Sequence, residues 1–138
     1  MDPAMNFHLA AKNLRLENNR YLRASVSILG RWVESSIDLD LYIGNNNGAL
    51  SWGGSNFSQG ATNVRLGKDP GNGWCPLVFA TIKDSLGISK NCGLYLGRCI
   101  GIENHGLSCD ISKAHLTEPV RNPQEGVNYF ILPSRGYY

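Results

Sequence analysis

Residues 22–28, Leu-Arg-Ala-Ser-Val-Ser-Ile, alternate apolar and polar positions, the period of a strand that lays one face on a core. Residues 78–82, Val-Phe-Ala-Thr-Ile, do so more weakly. Residues 37–43 place apolar side chains at every second position and end in Ile43-Gly44; residues 94–100 follow the same trend and end in Ile100-Gly101. No segment sustains an apolar period of 3.6, so the pattern predicts an all-β chain with only short helical turns. Continued through residue 41, the alternation sets Asp38 and Asp40 opposite Ile37, Leu39 and Leu41, as solvent-facing charges.

The pattern is also repeated. Asn6-Phe7, then Ala11-Lys12-Asn13-Leu14-Arg15-Leu16, returns fifty residues later as Asn56-Phe57, then Ala61-Thr62-Asn63-Val64-Arg65-Leu66. The later block, ending in Ile43-Gly44, returns at an offset of fifty-seven. Two blocks in the same order predict two tandem halves, residues 6–55 and 56–112, each of three strands and a hairpin. The extra residues must fall between the blocks, and the turn-forming run Gly67-Lys68-Asp69-Pro70-Gly71-Asn72-Gly73 suggests a lengthened hairpin loop there. Asn46-Asn47-Gly48 can supply the positive φ angles of a tight hairpin turn, with Asn104-His105-Gly106 as its counterpart.

Composition narrows the classes. A formal charge of +2, with scattered basic residues, does not make the stripe that nucleic acid requires. No apolar run reaches membrane-spanning length. Residues 1–5 resemble a vector scar ahead of a native start at Met5, which leaves open a leader removed upstream. The three histidines, His8, His105 and His115, fall in unrelated segments without a nucleophile pattern, and Asp38 and Asp40 are not placed as a catalytic pair, so no enzyme is expected and no cofactor is implied.

Asn-Phe at the head of each repeat, Leu22-Arg23-Ala24-Ser25, Ser35-Ser36-Ile37-Asp38-Leu39, and the run from Ile43-Gly44-Asn45 through Asn47-Gly48 to Leu50 and Trp52 together resemble the cyanovirin-N homology (CVNH) family of lectins. The match is close over residues 6–66 and degenerate beyond, and residues 113–138 form an extension without a recognised counterpart. The resemblance implies two pseudo-symmetric repeats that exchange strands between halves, and a carbohydrate site at each end. It implies binding of mannose-type oligosaccharides or glycoprotein glycans by one main site, lined by Gly44, Asn45, Asn46, Asn47, Ser55, Asn56, Gln59, Gly60, Lys83 and Ser85. Convergent amides, hydroxyls and bare backbone are what a neutral sugar needs. The same Asn residues also serve as ordinary turn formers.

The opposite site would draw on residues 6–10, 27–29 and 102–105, where Leu9, Ala10, Ile28, Leu29 and Ile102 replace useful polar groups. That predicts weak or absent sugar binding there, or an apolar patch covered by the tail with its Tyr129, Phe130, Ile131 and Leu132. The resemblance puts Trp52, Gly53, Gly54 and Ser55 at the junction between repeats, with a monomer as first expectation and a strand-swapped dimer as the variant that junction allows.

The family's disulfide positions read Ala11 with Val26 and Ala61 with Ile82, so apolar packing replaces the crosslinks. For Cys75, Cys92, Cys99 and Cys109, free buried thiols come first, two new disulfides second and a zinc site using His105 and His115 last. Thiols favour the cytoplasm, and disulfides with a removed leader would favour secretion. The competing function is a protein-interaction module on a lectin scaffold that has lost sugar binding, using the divergent half and the aromatic tail.

Overall fold

The computed structural model describes residues 6–116 and 118–132; residues 1–5, where the scar is expected, and the end of the extension lie outside the described residues. Two antiparallel sheets and two hairpins form around one core. Strands β1 (Ala11–Glu17), β2 (Tyr21–Ile28) and β3 (Arg31–Asp38) make the first sheet, followed by a hairpin of β4 (Ile43–Asn46) and β5 (Ala49–Trp52). The second half repeats this with β6 (Thr62–Asp69), β7 (Cys75–Lys83) and β8 (Ser89–Tyr95), then a hairpin of β9 (Ile100–Glu103) and β10 (Gly106–Cys109). The fold is all-β, pseudo-symmetric and built from the two repeats read in the sequence.

The repeated Asn-x-Arg motif has a local cause. Asn13 (φ 59°) and Asn63 (φ 52°) sit where the β1–β2 and β6–β7 registers slip, the left-handed conformation that Asn tolerates better than most residues. Arg15 and Arg65 each donate to the carbonyl of the bulged Asn two residues before. Glu34 of β3 pairs with Arg15, whereas Arg65 finds Glu125 of the C-terminal extension.

Each half hands its hairpin to the other. β5 packs against β8, where Trp52 Nε1 donates to the Tyr95 carbonyl at 3.3 Å; β10 packs against β3, where Leu107 N–H donates to Ser35 Oγ at 2.9 Å. The repeat starts cross in the same way: Asn6 N–H donates to the Gly97 carbonyl at 2.6 Å, and Asn56 N–H to the Asp40 carbonyl at 2.8 Å. Phe7 and Phe57 thereby enter one shared core with Leu14, Leu22, Leu39, Ile43, Leu50, Leu94, Leu96 and Ile100. Ala11 faces Val26 across β1 and β2, and Ala61 and Ile82 also belong to this packing.

Three expectations change. The seven-residue turn cluster is not a long loop: β6 runs on through Lys68 opposite Pro76 and Asp69 opposite Cys75, and only Pro70–Asn72 forms a 3-10 turn. In the second hairpin Gly106 (φ 128°) carries positive φ, whereas Asn104 and His105 do not. Asp40 is not a solvent-facing strand residue. β3 ends at Asp38, Leu39–Leu41 turn as a 3-10 helix, and this rotation buries Asp40 while leaving Leu41 65% exposed.

The extension adds two-residue strands, β11 (Val120–Arg121) beside β8 and β12 (Phe130–Ile131) beside β6, so the second sheet has the order β11-β8-β7-β6-β12. Tyr129 meets Phe79 edge-on and Phe130 meets Trp74, which is itself held at φ 59°. The described tail therefore covers the second sheet and not the opposite site, where Leu9 and Leu29 remain 75% and 90% exposed.

Candidate functional site

The first hairpin turns through Asn47 (φ 51°) and Gly48 (φ 88°), two successive left-handed residues whose twist matches a two-residue hairpin loop. This fixes the pairing of Gly44 with Ser51 and Asn46 with Ala49. Asn45 Oδ1 accepts the Gly48 N–H and its Nδ2 donates to the Lys83 carbonyl, both at 2.8 Å. Asn47 Oδ1 accepts the Ser85 N–H at 2.8 Å. Asparagine amides from the first half thus tie its hairpin tip to the β7–β8 loop of the second.

Beside that tie lies a depression of about 220 Å³ lined by Gly44, Asn45, Asn46, Ser51, Trp52, Gly53 and Gly54. Gly44 and Gly54 are in contact through bare backbone: a Cβ on Gly44 would stand 2.8 Å from Ser55 N, and one on Gly54 would stand 2.8 Å from Gly44 Cα. The absence of side chains at both positions lets the junction lie flat against β4. Asn46 is exposed and its side chain has no partner among the described residues. No residue lining the depression is charged.

Of the residues expected at the site, Gly44, Asn45 and Asn46 line the depression and Ser55 adjoins it through Gly44. Asn47, Lys83 and Ser85 take part in the cross-half tie and do not line it. Asn56, Gln59 and Gly60 belong to the next turn, where Gln59 N–H donates to the Asn56 carbonyl at 3.1 Å, and they do not line the depression. Ser51, Trp52, Gly53 and Gly54 were not expected there; once the turn is set at Asn47-Gly48, the hairpin register puts Ser51 opposite Gly44.

The turn bearing Asn56 is fixed from below. Asp40 Oδ1 accepts the Ser58 N–H at 3.0 Å and Oδ2 accepts the Ser58 hydroxyl at 2.5 Å, while Arg20 Nε lies 3.5 Å from Oδ2. Arg20 also grips Asp38 with two bonds, at 3.0 and 2.6 Å, which holds the Asp38 carboxyl below its usual range.

The CVNH domain family matches this chain over residues 7–122. The chain belongs to the CVNH family. Among CVNH relatives, a cyanovirin-N homolog of Neurospora crassa is 34% identical over 91 residues, which is 60% of this chain and 78% of that protein. The solved CVNH protein of Gibberella zeae is 36% identical with a TM-score of 0.68, covering 75% of this chain and 96% of its own. A designed cyanovirin-N homolog lectin is 34% identical with a TM-score of 0.70, covering 77% and 100%.

The four cysteines of this CVNH chain are free thiols, with Cys75, Cys92 and Cys99 buried and Cys109 half-buried. Burial pushes Cys99 and Cys109 up to about 12. Among the described residues no three His, Cys, Asp or Glu side chains converge as a metal site, and no helix is long and apolar enough to cross a membrane.

Proposed function

We propose that this CVNH protein is a non-enzymatic lectin that binds a neutral oligosaccharide, of the mannose type, at the depression between the first hairpin and the repeat junction. The uncharged lining carries this reading. Asn46 offers both a donor pair and an acceptor, Ser51 a hydroxyl, and the bare backbone of Gly44, Gly53 and Gly54 allows a pyranose to come close. Such a surface recognises hydroxyl groups and has no group placed to transfer a proton or attack a bond. The designed lectin relative supports sugar recognition by this scaffold. Asn47, Ser55, Asn56, Gln59, Gly60, Lys83 and Ser85 then form an outer rim that reaches a longer glycan or holds the lining in place. The opposite end, with Leu9 and Leu29 exposed, contributes little sugar affinity.

Titration with a mannose-rich oligosaccharide, followed by amide chemical shifts, tests this. Shifts centred on residues 44–46 and 51–55 are expected. A protein-interaction module is the second reading, favoured by the exposure of Leu9, Leu29 and Trp32. No shift with any oligosaccharide would replace the lectin reading with that one. The monomer is the proposed state, with a strand-swapped dimer as the alternative the exchange of hairpins permits.

A further inference from the structure

The pseudo-symmetry breaks at one polar contact. Asp40 of the first half binds Ser58 of the second; at the fifty-seven and fifty residue offsets their counterparts are Gly97 of the second half and His8 of the first. The backbone frame survives, since Asn6 N–H donates to the Gly97 carbonyl as Asn56 N–H does to that of Asp40. The carboxylate does not. Where the side chain of residue 97 would begin, Cys75 Sγ and His8 Nδ1 converge instead: a Cβ there would stand 2.7 Å from the sulfur and 3.2 Å from the nitrogen.

The nitrogen arrives prepared. His8 Nε2 lies 3.2 Å from the Gly73 carbonyl, a contact that puts the ring proton on Nε2 and leaves a lone pair on Nδ1. That Nδ1 is buried without a hydrogen-bond partner among the described residues. Burial also lowers the His8 pKa, which keeps the ring neutral. A ring nitrogen with its opposite N–H bound to a backbone carbonyl is the arrangement that metal-ligating histidines adopt. Cys75 makes a long contact of 3.7 Å to the Pro76 carbonyl; burial pushes its thiol up, and the Gly97 N–H offsets part of that rise. Both side chains line a cavity of about 200 Å³ with Asn6, Leu9, Asn72, Gly73 and Arg98, although the donor atoms themselves are buried. Arg98, Lys68 and Asp69 are the charged groups around the pair.

We propose that His8 and Cys75, meeting over the bare Cα of Gly97, form a two-donor site for a soft monovalent cation of the copper(I) type. Thiolate and imidazole suit such a d10 ion, whereas zinc calls for four ligands. Binding releases the Cys75 thiol proton to solvent, and the neutral metal-thiolate unit that results gives Arg98 little charge to oppose. The site is separate from the sugar depression and does not depend on it.

Silver(I), an air-stable probe for this class, tests the proposal on the reduced full chain in chloride-free buffer. The first equivalent should move the His8 Nδ1 resonance and leave the other imidazoles in place. His8→Gln should weaken that first binding step by at least about tenfold, the loss seen even for the outer partners of metal ligands. Cys75→Ser should abolish the His8 response, and Gly97→Ala should block it by filling the space between the donors. Melting temperatures near wild type for His8→Gln establish that the fold is intact. A first equivalent that leaves His8 unmoved, or equal affinity in wild type and His8→Gln, would assign the silver to Cys92, Cys99 or Cys109 and overturn the proposal.

Discussion

Asp40 holds Ser58 by both carboxylate oxygens, one on the backbone N–H and one on the hydroxyl, and so fastens the start of the second repeat to the end of the first sheet. Replacing Asp40 with Ala leaves both donors of Ser58 and the facing Arg20 without this acceptor. A stability loss of about 2–4 kcal/mol is expected from urea unfolding. Ser58→Ala, which removes only the hydroxyl, should cost about 1 kcal/mol. Equal losses in the two variants would show that the buried carboxylate is not the anchor.

The asparagines of the first hairpin should separate by role. Asn46 has no side-chain partner among the described residues, so Asn46→Ala is expected to leave the melting temperature unchanged and weaken oligosaccharide binding by about 1–2 kcal/mol, roughly five- to thirtyfold. Asn45 is spent on Gly48 and Lys83, so Asn45→Ala should lower stability and affinity together. Asn56→Ala should reduce affinity less than Asn46→Ala, since Asn56 does not line the depression. Isothermal titration paired with thermal melts distinguishes the three, and Ser27→Ala at the opposite end should leave binding unchanged.

Acid should weaken the fold through two depressed carboxyls. Glu34 is held low by the Ser25 hydroxyl and then Arg15, and Asp38 by Arg20. A carboxyl depressed in the folded state stabilises it fully above the unfolded value, near 4.5 for Glu34 and 3.8 for Asp38, and the gain is lost as pH falls through the folded values. Stability measured from pH 6 downwards should therefore decline on entering that range, and Asp38→Asn should flatten the decline. An unchanged slope in Asp38→Asn would remove Arg20–Asp38 from the account.

Reductant should have no effect on melting, because no disulfide joins Cys75, Cys92, Cys99 and Cys109. A fall of several degrees with dithiothreitol would mean that a crosslink forms in solution.

The repeat was readable because its units are local: an Asn at a left-handed bulge, an Arg returning to the Asn carbonyl and a Phe entering the core need only a few residues each. Asp40 was not, since alternation assumes that the strand continues, and a three-residue helical turn rotates the side chain inward. Ser51 and the junction glycines join the site through hairpin register and chain crossing, which no single segment displays. β11 and β12 are too short to carry any period. Gly67 does show why β12 lands where it does: a Cβ there would stand 2.9 Å from the Phe130 carbonyl and still nearer the Phe79 ring.

Those two short strands give the protein a handedness of association that its repeated sequence conceals. Along β6 and β8 a neighbouring chain would meet two-residue caps, a poor template for further pairing, whereas β3 ends the first sheet with an uncapped outer edge from Arg31 to Glu34. β1, the other border of that sheet, runs past β6 beside Ile131 and Leu132. Two copies that met through β3 would each occupy the other's β3 edge, and that contact closes as a pair instead of propagating into a fibre.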